Sequence, residues 1–207
     1  MESLLDVVAM NVAAAPHDLA FEMDDEHLTW SELDVTTSRV AHALAAAGVK
    51  QGDVVAFCAE NSPFYIASVL GIARVGATAA LINTNLRGRP LEHAVTVSNA
   101  KVALVSQSLE PGFRECEELC KALDRILVFD DNPYTGLLAN TPTSPYPAAS
   151  VSSDDDFIYI YTSGTTGLPK PCRVSHARAV LAGAGFGPLM FQFEPGDKLY
   201  CVLPLYH

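Results

Sequence analysis

One stretch of the chain concentrates the side chains that phosphate chemistry uses. Over Tyr159-Ile160-Tyr161-Thr162-Ser163-Gly164-Thr165-Thr166-Gly167-Leu168-Pro169-Lys170 an apolar run passes into glycines and hydroxyls and ends on a cation. Gly164 and Gly167 leave room for backbone N–H groups to converge on oxygen atoms, where a Cβ would block the approach. Thr162, Ser163, Thr165 and Thr166 add hydroxyl donors and Lys170 adds a positive charge, so the segment carries the donors a polyphosphate requires. It is not the P-loop of the standard nucleoside triphosphatases. That loop places Lys directly after its last Gly, whereas here Leu168 and Pro169 intervene between Gly167 and Lys170. The bland alternative is a Ser/Thr/Gly turn that merely links two strands.

Other residues that could do chemistry point to less. Asp154, Asp155 and Asp156 form a charge run before the apolar strand and read as a solvated loop in preference to a metal site. No protein-held metal is expected, because Mg2+ normally arrives with a nucleotide and needs few protein ligands. The five cysteines, at 58, 116, 120, 172 and 201, form no C-x-x-C pair and read as buried or idle thiols. Their odd number, and Glu2 and Asp6 where a secretory leader would be basic, fit a reducing, cytosol-facing compartment. The net charge of −11, spread along the chain, argues against a protein built to grip nucleic acid but leaves a small anionic ligand possible.

The elements that must position the Gly-rich segment can be read from pattern. Thr29 and Glu32 have capping-box spacing, Leu33, Val40, Leu44 and Ala47 recur at helical intervals, and Gly48 follows as a stop. A strand over Asp53–Cys58, a helix over Pro63–Val75, a strand over Ala77–Ile82, a helix over Pro90–Asn99 and a strand over Lys101–Ser106 follow. A helix near Glu110–Ala122 and a strand at Arg125–Phe129 complete the rhythm of an α/β fold, a mainly parallel sheet covered by helices. Phe64 to Ile82 approaches the length of a membrane span, but Arg74 in its middle and Gly76 beyond favour helix, turn and strand. Residues 130–153, with Pro133, Pro142, Pro145 and Pro147, read as a surface loop or subdomain boundary between a first α/β part, 1–129, and a phosphate-loop part, 154–207. Phe157–Tyr161 restarts the sheet, a helix covers about His176–Leu189, and Lys198–Leu203 reads as a last strand that stops without a closing element, as in an incomplete domain.

The Tyr159–Lys170 segment resembles the AMP-binding signature of the adenylate-forming superfamily, which includes acyl-CoA synthetases, luciferases and peptide-synthetase adenylation domains. Leu28-Thr29-Trp30-Ser31-Glu32-Leu33, Gly48-Val49-Lys50-Gln51-Gly52-Asp53-Val54-Val55-Ala56 and Leu203-Pro204-Leu205-Tyr206-His207 stand in the order that family shows, so the resemblance covers essentially the whole chain. Ala80-Leu81-Ile82-Asn83-Thr84-Asn85-Leu86-Arg87 and Tyr159-Ile160-Tyr161 are similar to the fatty-acid transport protein branch, which are also very-long-chain acyl-CoA synthetases. Pro171 and Cys172 depart from the small or aliphatic residues usual after the lysine.

The resemblance implies a ligase that activates a long- or very-long-chain fatty acid with ATP and Mg2+, forms an acyl-adenylate and passes the acyl group to coenzyme A, with coupling to fatty-acid uptake in that branch. It implies that Thr162, Ser163, Gly164, Thr165, Thr166, Gly167 and Lys170 hold the phosphates, with Thr166 and Lys170 serving the reaction. Tyr206 and His207 would lie near the acyl and nucleotide pockets, and for His207 a plain structural hydrogen bond is an equal reading. The family's adenine-binding aromatic motif, ribose-binding acid, Mg2+-proximal glutamate and C-terminal domain find no counterpart in these residues, so the chain is expected to be inactive alone and to need the missing remainder. A non-catalytic nucleotide-binding or regulatory fragment is the alternative. The expected location is the cytoplasm or the cytosolic face of the endoplasmic reticulum, peroxisome or plasma membrane, with peripheral membrane association as one mode of attachment.

Overall fold

The computed structural model describes residues 3–130, 132–163, 167–194 and 196–207. Helix α1 (Leu4–Ala14) opens on a capping box between Ser3 and Asp6 and is followed by an antiparallel hairpin, β1 (Leu19–Met23) and β2 (Glu26–Thr29). Helix α2 (Trp30–Ala46) starts at the expected cap: Glu32 N–H donates to Thr29 Oγ1 at 3.2 Å, and Thr29 N–H donates back to Glu32 Oε2 at 2.9 Å. It ends at Gly48, whose φ of +93° is open to glycine at no steric cost.

Next come β3 (Val54–Cys58), α3 (Pro63–Arg74), β4 (Thr78–Leu81), α4 (Gly88–Val97) and β5 (Val102–Ser106). Two short helices, α5 (Glu110–Arg114) and α6 (Glu117–Ala122), replace the single expected helix. The backbone of Cys116, at φ −89° and ψ 94°, leaves the helical region between them. Then β6 (Arg125–Phe129) and, after 130–155 with no regular element among the described residues, β7 (Asp156–Ser163), β8 (Pro169–Ser175) and α7 (His176–Ala184) complete the described regular structure, with Gly185–Phe191 continuing as π-helix.

The main sheet has six strands in the order β6-β5-β3-β4-β7-β8. Its first five strands are parallel and β8 returns antiparallel to β7. Alternation sorts the side chains between two cores. Val55, Phe57, Ala79, Leu81 and Leu104 face α1, α2 and α3, while Ala56, Ala80, Ala103 and Val105 face α4, α5 and α6. The apolar stretch 64–82 is buried as α3, a turn at Gly76 and β4, and no helix among the described residues is long and apolar enough to cross a membrane.

One expected strand fails and one observed strand was not foreseen. Residues 198–203 form no strand, and Leu199, Tyr200, Val202 and Leu203 are exposed, because no neighbouring strand offers the N–H and C=O partners that an extended segment needs. Strand β8 was not expected, since it carries Pro169 and Pro171; the sheet tolerates them because β8 is its edge.

Candidate phosphate-binding hairpin

The five parallel strands end at one edge of the sheet, where open α/β folds gather their ligand-binding loops. At this edge β8 pairs antiparallel with β7, and the Gly-rich segment lies between them in sequence. Thr162 stands directly opposite Lys170, and Ser163 opposite Pro169. Directly opposed residues of an antiparallel pair share a face of the sheet with Cβ atoms ~5 Å apart. The Thr162 hydroxyl and the Lys170 ammonium are therefore neighbours, both exposed, and Gly167 turns the chain at φ +79°. Gly164, Thr165 and Thr166 lie outside the described residues.

Polar side chains fix the base of the hairpin. Tyr161, buried against α4, donates its hydroxyl to Ala94 O at 2.7 Å, and burial pushes its phenol up to about 12. Asp156 accepts from Tyr159 OH at 2.9 Å and from Arg173 Nε at 2.7 Å. Burial, and then this contact with Asp156, raise the Tyr159 phenol. Asp155 accepts from Ser152 N–H at 2.8 Å. Two members of the acidic run thus have structural roles, and among the described residues no group of three or more His, Cys, Asp or Glu side chains could hold a metal.

The second motif reaches the same edge. Tyr206 is buried, its hydroxyl accepts from Asn85 Nδ2 at 3.3 Å in the loop after β4, and its ring lies 4.7 Å from that of exposed His207. The backbone just before it is held by Asn61 after β3: Asn61 Nδ2 donates to Leu203 O at 3.0 Å and Leu205 N–H donates to Asn61 Oδ1 at 2.8 Å. Sequence reasoning did not find Asn61. A contact spanning 142 residues leaves no local trace.

It also missed an open cleft of about 770 Å3 between the loops after β3 and β5, lined by Glu60, Asn61, Ser106, Ser108, Asp130 and Tyr134 among others. Glu60 accepts from Ser106 Oγ at 2.7 Å and Ser108 Oγ at 2.9 Å. Burial works against its charge, but these hydroxyls outweigh it and leave the carboxyl below its ordinary range. Neither Thr162 nor Lys170 lines this cleft.

The family model for the AMP-binding enzyme matches residues 8–207. The chain belongs to the AMP-binding enzyme family. It is 34% identical over 205 residues to the medium/long-chain-fatty-acid–CoA ligase FadD6 of Mycobacterium tuberculosis, covering 98% of this chain and 34% of that protein. To long-chain fatty acid transport protein 1 of Rattus norvegicus it is 37% identical over 190 residues, covering 86% of this chain and 29% of the relative. The crystal structure of the anthranilate CoA ligase AuaEII in complex with anthranoyl-AMP superposes with a TM-score of 0.90 at 25% identity, over 99% of this chain and 40% of that one. The chain thus spans about a third of the length of these curated relatives. As a member of that family, it has the α/β architecture that the signature implied.

Proposed function

We propose that this chain is the phosphate-binding part of a fatty acid–CoA ligase. The observation that carries the reading is the β7–β8 hairpin, which sets Thr162 beside Lys170 at the ligand edge of the sheet. The fatty-acid ligase and transport-protein relatives support a long acyl chain as the substrate. In the reaction a fatty-acid carboxylate oxygen attacks the α-phosphorus of ATP and the bond to the bridging oxygen breaks, releasing pyrophosphate. The thiol of coenzyme A, giving up its proton to solvent, then attacks the carbonyl carbon of the acyl-adenylate, and the bond from that carbon to the phosphate oxygen breaks as AMP leaves. Thr162, Ser163, Gly164, Thr165, Thr166, Gly167 and Lys170 are assigned to the β- and γ-phosphates and the departing pyrophosphate, with Thr166 and Lys170 supporting the charge that develops. Tyr206 and His207 are assigned to the acyl and nucleotide pocket. Mg2+ would be carried by the phosphates, in keeping with the donor set of hydroxyls and one ammonium at the hairpin.

Both chemical steps are assigned to the whole protein, which on this reading works at the cytosolic face of a membrane with peripheral contact. The exposed Phe186, Met190, Phe191 and Phe193 support such contact. Calorimetric titration of the 207-residue chain with MgATP tests the phosphate assignment. Lys170→Ala is expected to weaken binding roughly 10- to 100-fold, the ~1.5–3 kcal/mol of a charge-assisted hydrogen bond. Equal affinity in the two proteins, or no binding by either, would overturn it. ATP–pyrophosphate exchange by the chain alone is expected to stay at the Lys170→Ala background.

A further inference from the structure

We infer that Asn61 is a positioning residue that holds the Tyr206–His207 pair in place. The inference rests on the assignment of those two residues to the acyl and nucleotide pocket. Residues 198–207 belong to no helix or strand, so no ladder fixes their backbone. Pro204, which has no N–H, lies between Leu203 and Leu205, and the Asn61 carboxamide spans it. The side chain donates to the carbonyl before the proline and accepts from the N–H after it, at 3.0 and 2.8 Å. A neighbouring strand would offer the same donor and acceptor. The other described hydrogen bond to Leu203 O is the long 3.7 Å contact from Cys201 Sγ.

Asn61 can act as a fixed point because it is itself fixed. It lies between the end of β3 and Ser62, the N-cap of α3, whose hydroxyl accepts from Tyr65 N–H at 3.1 Å. The clamp therefore refers the 203–205 backbone to the strand and helix that build the ligand edge. A turn from His207 N–H to Pro204 O at 3.1 Å then carries the chain into the ring pair, and Asn85 holds the Tyr206 hydroxyl from the next loop along. Asn61 and Asn85 close on the motif from two adjacent parallel strands, β3 and β4.

Nuclear magnetic resonance of the 207-residue chain tests this. In Asn61→Ala the Leu205 amide is expected to exchange at least tenfold faster and the mutual ring-current shifts of Tyr206 and His207 to collapse, while the amides of Val55 to Phe57 stay protected. Asn61→Asp keeps the acceptor and is expected to retain Leu205 protection, and it carries the test should the alanine variant fail to fold. Affinity for a non-hydrolysable fatty acyl-adenylate is expected to fall about tenfold in Asn61→Ala. Unchanged exchange and ring shifts would overturn the clamp, and altered shifts with unchanged affinity would overturn the positioning role. The proposed function is judged separately by the MgATP titration; where the wild-type chain does not bind the adenylate, the clamp is decided by exchange and shifts alone.

Discussion

Replacing Gly71 with alanine separates two physical effects of opposite sign. Gly71 lies within α3, where helix propensity alone favours alanine by ~1 kcal/mol. An added Cβ, however, would lie 2.6 Å from Val40 Cγ1, 2.7 Å from Val40 Cβ and 3.1 Å from Thr37 O of α2. Carbon pairs settle near 3.5–4.0 Å, so the overlap is about 1 Å. It cannot be relieved by a rotamer: Val40 is fully buried and β-branched, and the Thr37 oxygen is backbone. Overpacking of this kind costs ~1–3 kcal/mol, and after the propensity gain a net loss of up to about 2 kcal/mol remains. For a chain of this size that is a fall of up to roughly 8 °C in Tm. Thermal unfolding by circular dichroism reads it directly. In a Val40→Ala background, which removes the Cγ1 contact but not the Cβ one, the same change should cost less. A Tm that rises in Gly71→Ala would show that α2 and α3 do not approach as described.

Asp34→Ala removes the carboxylate that pairs with Arg74, whose side chain is 9% exposed and donates also to Ser38 Oγ at 2.5 Å. A buried guanidinium left short of a partner should cost about 3 kcal/mol, toward the lower end for broken buried pairs because Asp34 is partly exposed; the urea midpoint checks it. His176 is 1% exposed, and its Nδ1 has no hydrogen-bond partner among the described residues. Burial lowers its pKa from 6.5, and Asp155 and Asp6 pull less strongly the other way. Between the lowered folded value and 6.5 the unfolded chain binds more protons, so this contribution is full above 6.5 and is lost as pH falls through that window. Urea midpoints measured at pH 8 and pH 5.5 should differ less in His176→Phe than in the wild-type chain.

What was legible in the sequence was local. The capping box at Thr29–Glu32 and the stop at Gly48 mark α2 because their chemistry is complete within a few residues. Ser3 and Asp6 carry the same kind of signal and could have revealed α1. The buried parallel strands were visible as short apolar runs between helices. Strand β8 was not, because its prolines argue against a strand until its place at the sheet edge is known. The run 198–203 failed for the converse reason: an apolar pattern says what a segment could bury, not whether a partner lies beside it. In the candidate site, the hairpin residues were legible as a motif. Asn61, Asn85 and the Glu60–Ser106–Ser108 network were not, since each depends on loops that only the strand order brings together.

That strand order also divides the ligand edge by charge. The loops after β3 and β5 leave opposite faces of the sheet and open the cleft, whose walls carry Asp25, Glu26, Glu60 and Asp130 with His27. Ser106 and Ser108 help hold the carboxyl of the exposed Glu60 below its ordinary range, and the acidic walls set a negative field across the cleft. That field disfavours a triphosphate there. At the hairpin the Asp156 carboxylate is taken up by Arg173 and Tyr159, while Lys170 stands beside a hydroxyl with its charge exposed. In a chain of net charge −11, the place for an anionic ligand is decided less by volume than by where carboxylates are already engaged, and that favours the hairpin over the larger cleft.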